Sequence, residues 1–130
     1  MTDQEAYDAS WDIPSAQTIP YGRGLIYLAN VDAQIRTAFN GTENLDSLAL
    51  DLLSICRTSS SECTEDELLM LLEKYVGPEA VEEYNEVSAG GESVIQPVVG
   101  SLGPCFDVVK TNDTTPVYQW VPKEGKNQFK

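Results

Sequence analysis

Apolar positions along this chain recur first at helical spacing and then at strand spacing, with the change near Gly91. Leu28, Val31, Ile35, Ala38 and Phe39 fall three to four residues apart, and Asn40-Gly41 stops the run as a left-handed cap would. Thr42 can cap a second helix that carries Leu45, Leu48, Leu52, Ile55 and Cys56 on one face. The sharpest start signal is Thr64-Glu65-Asp66-Glu67, a capping box with Cys63 and Leu68 placed as its hydrophobic staple. Its acidic first turn suits the helix dipole, and the run continues through Leu68, Leu71, Leu72 and Tyr75 to Gly77. Pro78 fits a first helical position and opens a helix through Ala80, Val81, Tyr84 and Val87. The spacing predicts helices over about 24–39, 43–57, 65–76 and 78–88.

After Gly91 the apolar run Val94-Ile95-Gln96-Pro97-Val98-Val99 is confined by its proline to an edge or an irregular segment. Residues 105–110 and 116–121 flank the polar stretch Thr111 to Thr115 and read as a β-hairpin over about 105–121. A lone hairpin is marginal in water, so this one needs other surface against it. Residues 1–22 read as an extended arm. Pro14 and Pro20 argue against a long helix there, yet Tyr7, Trp11, Ile13, Ile19 and Tyr21 are too apolar for an inert tail. Residues 122–130 form a basic tail with Lys123, Lys126 and Lys130. The expected fold class is α+β: a small helical core of about four short helices, a C-terminal hairpin and the N-terminal arm, with residues 23–121 as one domain.

Composition narrows the chemistry. Twenty-one Asp and Glu face eight Lys and Arg, for a formal charge of −13, and there is no histidine. Eight scattered cations cannot track a phosphate backbone, and anionic membranes repel such a surface, so neither nucleic acid nor membrane is an expected partner. Without imidazole there is no Ser-His or Cys-His nucleophile and no two-histidine zinc helix. Pairs of carboxylates occur as in any acidic chain, with nothing to single two of them out as acid and base. The calcium-loop order of aspartates and glycine is absent. The expectation is a non-enzymatic protein with no cofactor and no metal.

Cys56, Cys63 and Cys105 are odd in number and lack a CxxC pair, and the acidic start reads as no secretory signal. They are expected to be buried, inert thiols of a protein made in the cytoplasm. On that reading the sequons at Asn40 and Asn112 are accidental. Gly22-Arg23-Gly24 reads as a tight turn, because the glycine-rich phosphate fingerprints need a preceding strand and further glycines.

The most unusual pattern is Glu79, Glu82, Glu83 and Glu86, a stripe at i, i+3, i+4 and i+7 with no lysine at i+4 to support it. A solvated outer face and a contact surface for a basic partner are its two readings. Tyr7 and Trp11 in the arm, Trp120 in the hairpin, and Lys123 and Lys126 in the tail complete the candidate partner-binding residues. Opposite charge at the two ends favours contacts between copies, hence a homo-oligomer or a structural or assembly component of a larger complex. The architecture is of the style of small viral and phage particle proteins, an analogy with no family motif behind it. The alternative is an acidic charge mimic, an inhibitor or immunity protein that blocks the basic groove of a nuclease or toxin.

Overall fold

The computed structural model describes residues 3–9, 12, 18–58, 63–89, 95–112, 114 and 117–123. Five helices and a two-stranded antiparallel sheet are seen among them, the expected α+β class. The elements are α1 (Asp3–Ala9), α2 (Thr18–Ala38), α3 (Leu45–Thr58), α4 (Glu65–Tyr75), α5 (Pro78–Ser88), β1 (Phe106–Lys110) and β2 (Tyr118–Pro122). They group into two compact units, Gln34–Gly91 and a second made of Met1–Ala33 with Glu92–Lys130.

The N-terminal region departs most from expectation. The segment read as an extended arm holds the seven-residue helix α1, whose Ala6 is fully buried. α2 begins at Thr18 and passes through Pro20 and through the supposed turn at Gly22-Arg23-Gly24. Pro20 lies in the first turn, where its missing N–H has no intrahelical acceptor to lose. Each glycine costs a helix interior about 1 kcal/mol relative to alanine. A Cβ at either would meet open space, so close packing does not require them.

In the unit from Gln34 to Gly91, α4 packs against both α3 and α5. Ile35, Leu48, Leu71, Leu72, Tyr75 and Ala80 form its buried apolar set. The local signals act as expected at three boundaries. Asn40 and Gly41 take φ of 53° and 81° at the end of α2, and Pro78 stands at the start of α5 after Gly77 at φ 122°. The box at α4 closes reciprocally: Asp66 N donates to Thr64 Oγ1 at 3.3 Å and Thr64 N to Glu67 Oε2 at 2.8 Å. Hydrogen bonds from the Thr64 hydroxyl and backbone hold the Glu67 carboxyl below its ordinary pKa. The cap of α3 differs from expectation. Asn44, not Thr42, exchanges hydrogen bonds with Ser47, while Thr42 Oγ1 donates back to Phe39 O.

Across α3 and α4, Tyr75 Oη donates to Asp51 Oδ2 at 2.5 Å, with Lys74 Nζ at 3.7 Å from the same oxygen. The bond to Asp51, reinforced by burial and by the Asp51 and Glu43 charges, pushes the Tyr75 hydroxyl up to about 12. A raised folded-state pKa contributes stability that is complete below the unfolded value of about 10 and is lost as pH climbs through 12. Tyr75→Phe is expected to cost about 1–2 kcal/mol at pH 8. The gap to wild type should close between pH 10 and 12 in urea titrations. A gap that stayed constant across that range would remove Asp51 as the cause.

In the other unit the hairpin pairs Phe106 with Pro122, Val108 with Trp120 and Lys110 with Tyr118. β2 lies two residues beyond its expected start, because the loop closes on itself. Thr111 N donates to Val117 O, and Val117 N donates to Thr111 Oγ1, both at 2.9 Å. Ser101 is fully buried and satisfied: its Oγ donates to Val98 O at 2.6 Å and accepts from Trp120 Nε1 at 2.8 Å. Asn30 of α2, 3% exposed, holds the irregular segment on both sides of Pro97. Its Nδ2 donates to Gln96 O and its Oδ1 accepts from Val98 N, each at 2.9 Å.

Candidate functional site

The glutamate stripe lies on α5, fixed by the proline at its start and by Ala80, which is buried. Glu79, Glu82 and Glu86 are exposed. Among the described residues no cation lies within ion-pair distance of these three. Glu83 is different. It is half-buried and accepts from Gln34 Nε2 at 3.2 Å, which ties it to α2 rather than to solvent. Tyr84, on the opposite side, is held above its ordinary pKa by burial and by Glu65, to which it hydrogen bonds.

Charge is unevenly divided along the chain. The stretch Gln34–Gly91 contains twelve carboxylates against three cations, Arg36, Arg57 and Lys74, which accounts for nine of the thirteen net negative charges. The acid-rich surface of this unit therefore includes more than the stripe, with Glu65, Asp66 and Glu73 exposed on α4.

The remaining candidates differ in setting. Tyr7 is 66% exposed on α1. Trp11 and Lys126 lie outside the described residues. Trp120 faces inward: it sits on the half-buried face of the hairpin with Phe106, Val108 and Tyr118, and its indole N–H is committed to Ser101. Lys123 is half-buried and 3.8 Å from Asp107 Oδ1. The hairpin presents Asp107, Val109, Gln119 and Val121 on its other face, all exposed.

Two features are not legible in the sequence pattern as read. Large apolar side chains stand out on α3, where Leu50 is 66% and Leu53 47% exposed, opposite the face that carries Leu48. Counting the positions left off that face would find them. The cysteines are not all buried, inert thiols. Cys56 and Cys63 form a disulfide that joins the last turns of α3 to the residue before the α4 cap, with Cys63 exposed. Cys105 is free and half-buried.

No group of three or more Cys, Asp or Glu among the described residues is placed to hold a metal ion. Among them, no helix is long and apolar enough to cross a membrane. Compared with family models, curated proteins and solved structures, the chain gives no match. Its function has to be argued from its own surface.

Proposed function

We propose that this is a non-catalytic protein of a larger complex or particle, acting through protein–protein contacts, with copies of itself among its partners. The observation that supports this reading is the set of large apolar side chains left on the described surface. Leu50 and Leu53 on α3, Met70 on α4, Val99, and Val109, Val117 and Val121 of the hairpin region are each more than a third exposed. Such side chains normally find cover, and a two-stranded sheet with one bare valine-bearing face is the kind of element that completes itself on a neighbour. Light scattering after size-exclusion chromatography, at low and at high salt, tests it. A defined oligomer that persists in high salt is expected, because apolar contacts survive screening while repulsion between acidic copies fades. A monomer at both salts and at every concentration would end the self-association reading.

A second reading, the acidic charge mimic, rests on Glu79, Glu82 and Glu86, exposed and without a cation in reach among the described residues. It predicts steeply salt-dependent binding to a basic protein, abolished by reversing those three to lysine. Glu83 is left out of that variant because its bond to Gln34 gives it a structural role.

A further inference from the structure

We propose that the outward face of α3 pairs two copies of this chain, helix against helix, antiparallel about a two-fold axis. At 3.6 residues per turn, Asp46, Leu50, Leu53 and Arg57 recur at i, i+4, i+7 and i+11 and share one seam. Ala49 and Ser54 flank the seam on either side. All six are exposed, while Leu48 on the opposite side is 3% exposed and Ile55 is half-buried. α3 is therefore apolar on two faces, and only one of them is covered among the described residues.

The order of residues along the seam selects the occupant. An isologous contact requires that if one position meets a second, the second meets the first. Centred between Leu50 and Leu53, an antiparallel pair sets Leu50 of each copy against Leu53 of the other. The same register sets Asp46 against Arg57 at both ends of the contact, with Ala49 along one flank and Ser54 along the other. Small residues at the flanks let the axes approach. Asp46 lies in the first turn and Arg57 in the last, so each also suits its own helix dipole. Neither has an ion-pair partner among the described residues. Arg57 is one of three cations in an otherwise acidic unit, and a second copy of the same helix is the partner that offers it a carboxylate while covering both leucines.

This surface rests on the self-association reading and assigns it to one helix. A single helix pair buries less than a standard interface, so the expected dissociation constant is on the order of 10–100 µM. Sedimentation equilibrium of the full chain in 0.15 M salt, from about 10 µM to 1 mM, reads it. Asp46→Arg alone sets two guanidinium groups against each other at both ends of the contact, and Arg57→Asp alone sets two carboxylates there. Each variant is therefore expected to dimerise at least tenfold more weakly. Mixed in equal amounts, the two variants set a guanidinium group against a carboxylate at both ends of the proposed antiparallel contact, so mixing should restore the dimer to about the wild-type strength. A parallel pairing sets each position against its own counterpart, so the wild type would already oppose like charges at both ends and neither single variant would weaken it. The double variant Asp46→Arg/Arg57→Asp restores opposite charges at both ends of the antiparallel contact and should recover the wild-type dimer, less what its reversed helix-dipole contacts cost. Leu50→Gln should weaken the dimer whatever the charges. Circular dichroism should show all the variants folded, since the sites are exposed. If wild type dimerises and the single variants do so equally well, the antiparallel contact is wrong while self-association stands. If wild type stays monomeric to 1 mM, both fall. Weakened single variants that stay weak on mixing, or a double variant as weak as either single one, would overturn the antiparallel register.

Discussion

Asn30→Asp is expected to destabilise the protein by about 3 kcal/mol at pH 7, and the loss should shrink as the solution is made acidic. The substitution keeps shape and the acceptor. Oδ1 can still take the Val98 N–H, but the donor to Gln96 O is gone and two oxygens now face each other where a 2.9 Å bond stood. The carboxylate is also placed at a position 3% exposed in a chain that already carries −13. Burial disfavours the charged form, so the folded-state pKa of the new group rises above the unfolded value of about 3.9. The protonated form is then fully favoured below that value, and its contribution is lost as pH rises through the folded pKa. Protonated, the side chain regains a donor for Gln96 O. Urea titrations of wild type, Asn30→Asp and Asn30→Ala at pH 7 and pH 4.5 separate the effects. The aspartate variant should recover relative to wild type at the lower pH, and the alanine variant should keep a constant deficit of about 1–3 kcal/mol, limited by water reaching the exposed Gln96 and Val98. Equal pH dependence in both variants would show that Asn30 does not act through this amide pair.

That residue also marks where reading the chain stops working. The end of α2 and the starts of α4 and α5 are set by residues that act on their own neighbours. Asn40-Gly41, the Thr64 to Glu67 box and Pro78 need only local geometry, and all three behave as read. The faces of α3 and α4 follow from spacing. Asn30 carries no such signal, because asparagine within a helix is ordinary and its partners lie 66 and 68 positions away. The start of α2 is hidden because prolines and glycines weigh as breakers in a sequence. Pro20 falls in the first turn, where it is tolerated, and the cost of Gly22 and Gly24 is small beside what tertiary packing supplies to a 21-residue helix. The disulfide is equally hidden, because Cys56 and Cys63 are seven positions apart and their approach depends on how α3 and α4 pack. Of the candidate site residues, the exposed glutamates follow from helical spacing alone. Trp120 does not, since which face of a hairpin is covered depends on the segment that carries Ser101.

Leu71→Ala should cost about 2–5 kcal/mol, the range for a buried leucine truncated where its surroundings relax only in part. Leu71 is 2% exposed on α4, the helix that packs against both α3 and α5, so the gap would open between elements with little freedom to collapse into it. Met70, its neighbour in the chain, is 54% exposed, and Met70→Ala should change stability by no more than about 0.5 kcal/mol. Leu71→Met, which nearly conserves volume, should cost under about 1.5 kcal/mol. The contrast is diagnostic because a helix turned by one residue would bury Met70 and expose Leu71, reversing the two results. The capping box fixes where α4 begins, and helical spacing from there puts Leu71, Leu72 and Tyr75, all buried, on one face. Denaturant titration of the three variants reads both claims at once. A large loss for Leu71→Ala with none for Met70→Ala means that α4 is seated with Leu71 toward the core and Met70 toward solvent. Comparable losses at the two positions would place α4 in a different orientation and remove the Tyr75–Asp51 bond from the account.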